Sequence, residues 1–343
     1  NPGRGAEIYG GGDTKLLDFT AGIRSAITRV TELHHQIEKQ RVLDTHDVDE
    51  QAAVLAEADE ITGDLALVSD GIVAASLAAG KDRGKVLDAR MGVVQHHAEL
   101  LLSSSLTTAE KSSARTRLRE QSQAWLGLDR PADAFERSPL HWPLIFPEAF
   151  GRKTSGFDAV IGNPPFLGGQ KITGALGTCY REHLVADLGG GSRGSADLVA
   201  YMALQAARLV CVDSGEIGIL ATNTIGQGDT REVGLDQVVK SGFTIRAAVK
   251  SRRWPSRSAA LEYSFVALSR GQLGEGFVPV RDGVALTRDG RGVAITTSLD
   301  IEGASSGTPY PLAANRGLAF QGAIVLGMGF TLTNEEAEAL RIE

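Results

Sequence analysis

Four consecutive residues, Asn163, Pro164, Pro165 and Phe166, combine the side chains and the backbone rigidity needed to hold an amino group. Two successive prolines fix φ and leave no neighbouring N–H for the Pro164 carbonyl to fold back on, so this oxygen is expected to point outward. The Asn163 side chain adds a second carbonyl acceptor, and Phe166 adds a flat apolar ring. This combination suits the exocyclic amine of an adenine or cytosine rotated out of its duplex.

A simpler explanation is that Pro-Pro only ends a strand and that Phe166 packs in the core, which is the better explanation for an isolated Pro-Pro. An Asn-Pro-Pro-aromatic sequence, however, arises by chance in only about one chain in a thousand of this length. The residues before it indicate a short buried strand, because Val160 and Ile161 are β-branched and Gly162 ends the apolar run. We therefore expect the four residues at the carboxyl end of this strand.

The segment 157–166 resembles motif IV of the amino-group DNA methyltransferases, in which Asn-Pro-Pro-Phe or Asn-Pro-Pro-Tyr marks the adenine-N6 enzymes. Segments 140–150, 223–232 and 320–330 resemble further blocks of the large fused restriction-modification and phage-defence enzymes of Type IIL and Type IIG-like kinds. The resemblance covers residues 138–343, in the order of the family.

The resemblance implies an S-adenosylmethionine-dependent DNA adenine-N6 methyltransferase. Asn163 and the Pro164 carbonyl would accept the two amine protons of a flipped adenine, Pro165 would stiffen the corner, and Phe166 would stack on the base. Asp158 and Asn163 are the residues expected to contact the cofactor. No metal site is predicted, because adjacent histidines on a helix do not share a face.

Other residues are predicted to bind the DNA substrate. Asn223 follows a second predicted strand, and Tyr263 or Trp254 would supply a second ring over the base. Six cations and no acid occur between residues 240 and 257: Lys240, Arg246, Lys250, Arg252, Arg253 and Arg257. We expect Lys250, Arg252, Arg253 and Arg257 to contact phosphates, although an ordinary solvated loop explains these cations nearly as well.

Composition limits the class of protein. The 343 residues are 42% hydrophobic with a net charge of −7, which is typical of one large globular domain or two modest ones. No apolar run approaches about 20 residues, so we expect no membrane span. Cys179 and Cys211 form no spaced framework, so we expect a reduced, cytoplasmic setting in a bacterium. The acidic balance does not exclude DNA binding, because a local basic patch suffices.

The order of predicted elements indicates an α/β fold, which by resemblance is the second half of a Rossmann-like class I methyltransferase sheet. A helix over 196–210, capped by Ser195, separates the strand at 157–162 from a strand at 216–221, so these strands should be parallel neighbours. Strands at 244–249 and 262–268 should form an antiparallel final pair, with a helix over 230–239 before them.

Four regions are predicted along the chain. Residues 1–13 are a glycine-rich start, and 14–128 are helical, with a break at 80–84 and a capping box of Thr107 with Glu110. Residues 129–270 form the methyltransferase catalytic subdomain. Residues 271–343 form a small β region, with short strands at 276–280 and 293–297, and by resemblance the start of the target-recognition domain.

The cofactor motif of the family, a strand followed by a Gly-rich turn, has no counterpart before Asn163. Residues 10–13 follow no strand, and residues 189–194 match Gly-x-Gly-x-x-Gly only after a polar, helix-like stretch. We therefore expect a partial chain, inactive alone, whose partners are double-stranded DNA and a missing upstream methyltransferase or nuclease segment. Two alternatives stay open: a non-catalytic DNA-binding or regulatory module derived from a methyltransferase, and an enzyme acting on an RNA or protein amine.

The missing motif predicts that this 343-residue chain binds S-adenosylmethionine weakly or not at all. Isothermal titration of the cofactor into the purified chain should therefore show no tight binding. A sub-micromolar affinity would refute the expectation of a partial chain.

Overall fold

Long helices form the first part of the described structure. The computed structural model describes residues 28–33, 36–37, 45–103, 106–255, 262–274, 276–288 and 291–302. Helix α1 spans Thr45–Ala79, α2 spans Lys85–Leu102 and α3 spans Thr108–Gly127. The helical pattern and the break at 80–84 are confirmed where residues are described. The segments 1–27, 256–261 and 303–343, with the predictions that fall on them, lie outside the described residues.

The three helices pack around a small apolar core in which Val68, Val94 and Leu118 are at most 1% exposed. The capping box predicted at the start of α3 forms: the Thr107 N–H donates to a Glu110 carboxylate oxygen at 2.8 Å, and the Glu110 N–H donates to the Thr107 hydroxyl at 3.4 Å. These reciprocal bonds satisfy donors that the first turn of a helix leaves unpaired.

Helix α1 is long and apolar enough, by length and composition alone, to cross a membrane, with a hydropathy of 1.4 in its most apolar window. However, 56% of that window is buried inside the fold, and Val68, Ala74 and Ala75 have no exposed surface. A buried stripe of this kind is typical of the core helix of a helical cluster. The expectation of no membrane span stays a prediction.

The α/β part is built on a six-stranded mixed sheet with the order β1-β2-β4-β3-β5-β6. The strands are β1 Ala159–Gly162, β2 Glu216–Ala221, β3 Phe243–Arg253, β4 Glu262–Arg270, β5 Val280–Arg281 and β6 Val284–Ala285. β1 and β2 are parallel, and β4 runs antiparallel to both β2 and β3. The predicted parallel pair and the predicted antiparallel final pair are both confirmed.

Short helices precede β1 and connect the strands that follow it. They are α4 Trp142–Ile145, α5 Pro147–Phe150, α6 Gly169–Leu176, α7 Thr178–His183, a π-helical turn Leu184–Leu188, α8 Leu198–Leu209, a 3₁₀ turn Asn223–Gly226, α9 Gly228–Val233 and α10 Leu235–Lys240. The helix predicted over 230–239 is divided at Gly234, where any Cβ would lie 3.0 Å from Ala200 of α8. α8 supplies the central core, with Tyr201 packed in one cluster with Ile217 and Leu268 of the sheet.

The small β region predicted after residue 271 exists, but its strands are shorter and lie elsewhere. β5 begins at Val280, and a separate two-stranded ribbon joins β7 Thr287–Arg288 to β8 Arg291–Gly292. The predicted strand at 293–297 is reduced to one bridge between Ile295 and Ile301. All described residues fall in one compact unit, residues 1–304, so the regional boundaries drawn from sequence stay predictions.

The prediction that the strand before Asn163 is buried is wrong. β1 has a neighbour on one side only, and three of its four residues are exposed, with Ile161 at 82%. A run of consecutive apolar residues predicts burial on both faces of a strand, but it cannot show whether the covering strand and helix are present. Among the described residues, none pairs with the free edge of β1.

Four side chains join the helical region to the α/β part. The carboxylate of Asp187, in the π-helical turn, accepts a hydrogen bond from Ser76 at 2.7 Å, lies 2.6 Å from Arg83 Nη2, and lies 2.6 Å from His183 Nδ1. Burial alone would raise the pKa of Asp187, but the hydrogen bond and charge of His183, with Ser76 and Arg83, outweigh it and lower the pKa to about 2. The ionised carboxylate therefore stabilises this junction.

We predict that Asp187→Asn lowers the free energy of unfolding by about 2 kcal/mol at neutral pH, because the pKa falls from an ordinary 3.8 to about 2 on folding. A lowered carboxyl pKa contributes stability above its unfolded value and loses it as the pH falls through the folded value. The difference between the two proteins in urea unfolding should therefore shrink between about pH 4 and pH 2.

Asp213→Asn is the control, because Asp213 is an exposed carboxylate in the turn after α8. This control should leave the free energy of unfolding unchanged at neutral pH and across the same acidic range. A difference between wild type and Asp187→Asn that does not depend on pH would contradict the ionic account of the junction.

Candidate functional site

The loop after β1, residues 163–168, carries the four residues predicted to hold an amine. Asn163 is exposed, Pro164 is half-buried, and the Phe166 ring is 47% exposed instead of packed in the core. The Pro165 carbonyl accepts the Leu167 N–H at 3.2 Å. Among the described residues, none hydrogen-bonds to the Asn163 side chain or the Pro164 carbonyl. Both acceptors are thus without protein partners in this part of the chain, and Asn163 and Phe166 are exposed.

The far side of this loop is attached to the segment that leads into α8. The Leu167 carbonyl accepts the Leu198 N–H at 2.9 Å, and the Gly169 N–H donates to the Asp197 carboxylate at 3.0 Å. Gly169 comes so close to the backbone of Ser195 that any Cβ there would overlap the Ser195 carbonyl group. A residue without a side chain is therefore required at this position.

The end of β2 lies beside the same loop. The parallel register places Gly162 opposite Ile219, so the residues that follow both strands meet at one edge of the sheet. Asn223, predicted to bind substrate, begins the 3₁₀ turn at this edge. The hydroxyls of its neighbours Thr222 and Thr224 lie 2.7 Å apart, and Thr224 donates to Asp197 at 2.7 Å.

Trp254 and Tyr263 form an aromatic pair at this same end of the sheet, with ring centroids 5.4 Å apart in an edge-to-face arrangement. Tyr263 immediately precedes Ser264, which pairs with Ala221 of β2. Tyr263, on β4, therefore lies two strands from β1, or about 10 Å away, and Trp254, which follows β3, lies three strands away. The structure places both rings at the edge of the sheet that carries the Asn163 loop, but not against Phe166. Their role over a base stays a prediction.

The basic segment is partly neutralised by acids from elsewhere in the chain. Arg246 pairs with Glu216 at 2.9 Å and Lys250 pairs with Asp300 at 2.6 Å, whereas Arg252 donates to the backbone carbonyl of Asp282 at 3.1 Å, a contact that neutralises no charge. Burial would raise the pKa of Asp300, but Lys250, with Arg281, outweighs it and lowers that pKa. Lys240, Arg252 and Arg253 are exposed, and Arg257 lies outside the described residues. Contact of these cations with phosphates stays a prediction.

Asp158, predicted to contact the cofactor with Asn163, lies at the other end of β1. An extended chain rises about 3.3 Å per residue, so the two residues are about 16 Å apart. The Asp158 carboxylate accepts a hydrogen bond from Arg152 at 2.9 Å, and this bond lowers its pKa. The amino end of β1 is opposite to the edge at which parallel sheets bind ligands, which does not favour Asp158 as a cofactor ligand.

Two other features lie apart from the loop. Residues 189–194 follow a π-helical turn instead of a strand, which supports the rejection of a dinucleotide-binding loop there. A cavity of about 600 Å³ lies between the helical region and the α6–α7 segment, lined in part by Leu77, Leu126, Arg137 and Tyr180. Arg137 donates to the Leu126 and Leu176 carbonyls at 2.8 and 2.6 Å, so it serves to join chain segments.

Sequence reasoning missed Asp197 and its contact with Thr224, and it placed the cap of α8 on Ser195. The helix begins at Leu198 with Asp197 as its N-cap, while the Ser195 N–H donates to Asp229 at 2.6 Å. An aspartate just before an apolar helix is an ordinary capping signal, so it gave no reason to expect a second role. Only the fold brings Asp197 beside the loop of Phe166.

Comparisons with known proteins find one family that matches part of this chain. Residues 108–270 match the family described as MmeI, DNA-methyltransferase domain. A comparison with curated proteins finds no match. Among solved structures, the chain is similar to the Type IIL restriction-modification enzyme MmeI in complex with DNA, at 17% identity and a TM-score of 0.34, over 62% of this chain and 34% of that chain. This chain thus spans about a third of the length of that enzyme. The family match supports the DNA-methyltransferase part of the resemblance, and its range contains β1 to β4 and the Asn163 loop.

The close approach at Gly169 predicts that Gly169→Ala destabilises the fold by about 1–3 kcal/mol, because the added methyl group overpacks against the Ser195 backbone. The measurement is urea unfolding of the purified chain. Gly174→Ala is the matched control within the same helix, since a Cβ there meets nothing within 4 Å. This control should be neutral or stabilising, by up to about 1 kcal/mol, and equal stability of the two variants would contradict the close approach.

Proposed function

We propose that this chain is the base-accepting part of an S-adenosylmethionine-dependent DNA adenine-N6 methyltransferase of restriction-modification or phage defence. This proposal rests on the loop at the end of β1. Two carbonyl acceptors without partners among the described residues lie there, beside an exposed Phe166 ring. The family match of residues 108–270 supports DNA as the substrate class. The sheet order β1-β2-β4-β3 suits the second half of a Rossmann-like class I methyltransferase.

The loop can activate an amine by holding it. Each proton of the adenine amino group would donate to one acceptor, the first to Asn163 Oδ1 and the second to the Pro164 carbonyl. The two acceptors would lie outside the plane of the adenine ring. The two hydrogen bonds would then draw the lone pair of the amino nitrogen out of conjugation with the ring and expose it above the base. Phe166 would stack on the base and fix its plane. No residue has to remove a proton beforehand, because a proton can leave the nitrogen after the methyl transfer, so this chemistry depends on position.

The described residues fit the acceptor of the reaction and do not fit the methyl donor. Asp158, the one acid assigned to the cofactor by resemblance, is engaged by Arg152 at the far end of β1. S-adenosylmethionine supplies an electrophilic methyl group when it is bound, and its binding site would be formed by residues other than those described. This division agrees with the exposed free edge of β1, which ends at the Asn163 loop.

DNA contact would come from the edge of the sheet that carries Asn163. Arg252 and Arg253 are exposed there, beside the Trp254–Tyr263 pair, while Lys250 is held by Asp300. Exposed guanidinium groups bind phosphates and make the affinity depend on salt. Residues 271–343 would begin the target-recognition domain, and the protein would act in the bacterial cytoplasm.

A second candidate function is a non-catalytic DNA-binding or regulatory module derived from such an enzyme. The lack of a donor-binding set among the described residues favours it. The two functions differ in their product: the enzyme leaves N6-methyladenine in DNA, and the module binds DNA without modifying it. An RNA or protein amine as the acceptor would leave neither N6-methyladenine in DNA nor selective binding to duplex DNA.

We predict that Asn163→Ala in the full-length protein reduces N6-methyladenine in host DNA by about 100-fold or more, because one of two preorganised acceptors is lost. DNA affinity, measured by fluorescence anisotropy, should stay unchanged, since phosphate contacts supply most of it. Long-read sequencing or nucleoside mass spectrometry measures the methylation.

Gln170→Ala is the matched control for this change, because it also removes an exposed side-chain amide, at the second residue of the neighbouring helix α6. It should retain methylation. Methylation that survives Asn163→Ala would defeat the assignment of this loop. A full-length wild type that binds duplex DNA and leaves no N6-methyladenine would favour the module.

A further inference from the structure

Asp197 occupies the N-cap position of α8, but its side chain does not cap that helix. An N-cap aspartate ordinarily accepts a hydrogen bond from the backbone two or three residues ahead. Here one carboxylate oxygen accepts the Gly169 N–H at 3.0 Å, and the other accepts the Thr224 hydroxyl at 2.7 Å. The carboxylate therefore bonds to two other segments of the chain instead of to its own helix.

These two segments follow the two parallel strands. Gly169 begins helix α6, directly after the loop that carries Asn163 and Phe166, and Thr224 lies in the turn after β2. The backbone reinforces the first contact, because the Leu198 N–H donates to the Leu167 carbonyl at 2.9 Å. Asp197 itself is fixed by its own N–H, which donates to the Thr230 hydroxyl at 3.1 Å. One side chain thus bridges the ends of β1 and β2.

The loop needs such a restraint on only one side. Before Phe166, the two prolines fix φ and the backbone is stiff. After Phe166, Leu167 leads into Gly168 and Gly169, and glycines have the widest backbone freedom. Hydrogen bonds to a carboxylate are among the stronger ones in proteins, so Asp197 can hold the half of the loop that proline does not.

We infer that Asp197 is a positioning residue, which holds the amine-accepting loop in register with the end of β2. The inference rests on the proposed function, because it assigns the role of this contact in base acceptance. Without the contact, the segment from Pro164 to Phe166 would lose its fixed position relative to the end of β2, and a displacement of about 1 Å at a reacting centre can cost about 100-fold in rate. Asp197 would not touch the base.

The structural test is hydrogen–deuterium exchange of the 343-residue chain, followed by mass spectrometry of the peptides that contain residues 164–170. Asp197→Ala should accelerate exchange at Gly169 by about tenfold or more, because a charge-assisted bond is lost. Asp197→Asn should remain near wild type, since the amide oxygen can accept from Gly169 while its NH₂ donates to the Thr224 hydroxyl. Peptides from β3 and β4 should not change in either variant.

The functional test uses the full-length protein and a duplex with 2-aminopurine directly beside the target adenine, because the fluorescence of 2-aminopurine rises when its neighbour leaves the stack. Wild type and Asp197→Asn should raise the fluorescence, and Asp197→Ala should lose most of the rise at unchanged DNA affinity. A purely structural role would reduce affinity and fluorescence together. Asp213→Ala, which removes an exposed carboxylate from the turn before β2, is the control and should match wild type.

The outcomes separate this inference from the proposed function. Unchanged exchange at Gly169 in Asp197→Ala, or equal loss in Asp197→Ala and Asp197→Asn, would overturn the positioning role. Faster exchange in Asp197→Ala, with no fluorescence rise in wild type, would support the restraint and reject base acceptance by this chain.

If Asp197→Ala does not fold, Thr224→Val removes one of the two bonds at nearly constant volume. It should accelerate exchange at Gly169 to a smaller extent, and no acceleration would count against the inference.

Discussion

The parallel pairing of β1 with β2 is the constraint on which the candidate site depends. It is fixed at the amino ends of the strands, where the Phe157 N–H donates to the Leu209 carbonyl at 2.9 Å and the Glu216 N–H donates to the Asp158 carbonyl at 2.9 Å. Gly156, at a φ of 121°, lets the chain pass against the end of α8, where any Cβ would lie 2.7 Å from the Val210 carbonyl carbon. Once this register is set, both strands end at one edge, and the residues after them become neighbours.

The acceptor loop is stiff for two different reasons on its two sides. Proline restricts the chain covalently before Phe166, and after it a network of Asp197, Thr224 and the Leu198 N–H restricts the chain by hydrogen bonds. The side chains that would meet a ligand are left without partners among the described residues, and the polar groups behind them are satisfied. Rigid support behind exposed acceptors is the arrangement that a binding site for a planar amine requires.

Charge in this protein is organised across segments that are distant in sequence. The basic segment, residues 240–257, has no acid within it, yet Glu216 pairs with Arg246 and Asp300 pairs with Lys250, which leaves Lys240, Arg252 and Arg253 as exposed cations among its described residues. The helical region is joined to the α/β part in the same way, by Asp187 meeting Ser76 and Arg83. A count of charges along the chain therefore overstates the cationic surface, because neutralising partners come from other strands.

The sequence by itself determined what depends on neighbouring residues. The break at 80–84, the capping box of Thr107 with Glu110, the strand at 216–221 and the rigid Pro-Pro corner follow from backbone propensity and from contacts three or four residues apart. Only the tertiary structure decided that β1 is an exposed edge strand, that Asp158 lies far from Asn163, and that Asp197 bonds to Gly169 and Thr224. Those outcomes depend on which segments pack against which, and apolar spacing reports the need for burial without identifying the partner that provides it.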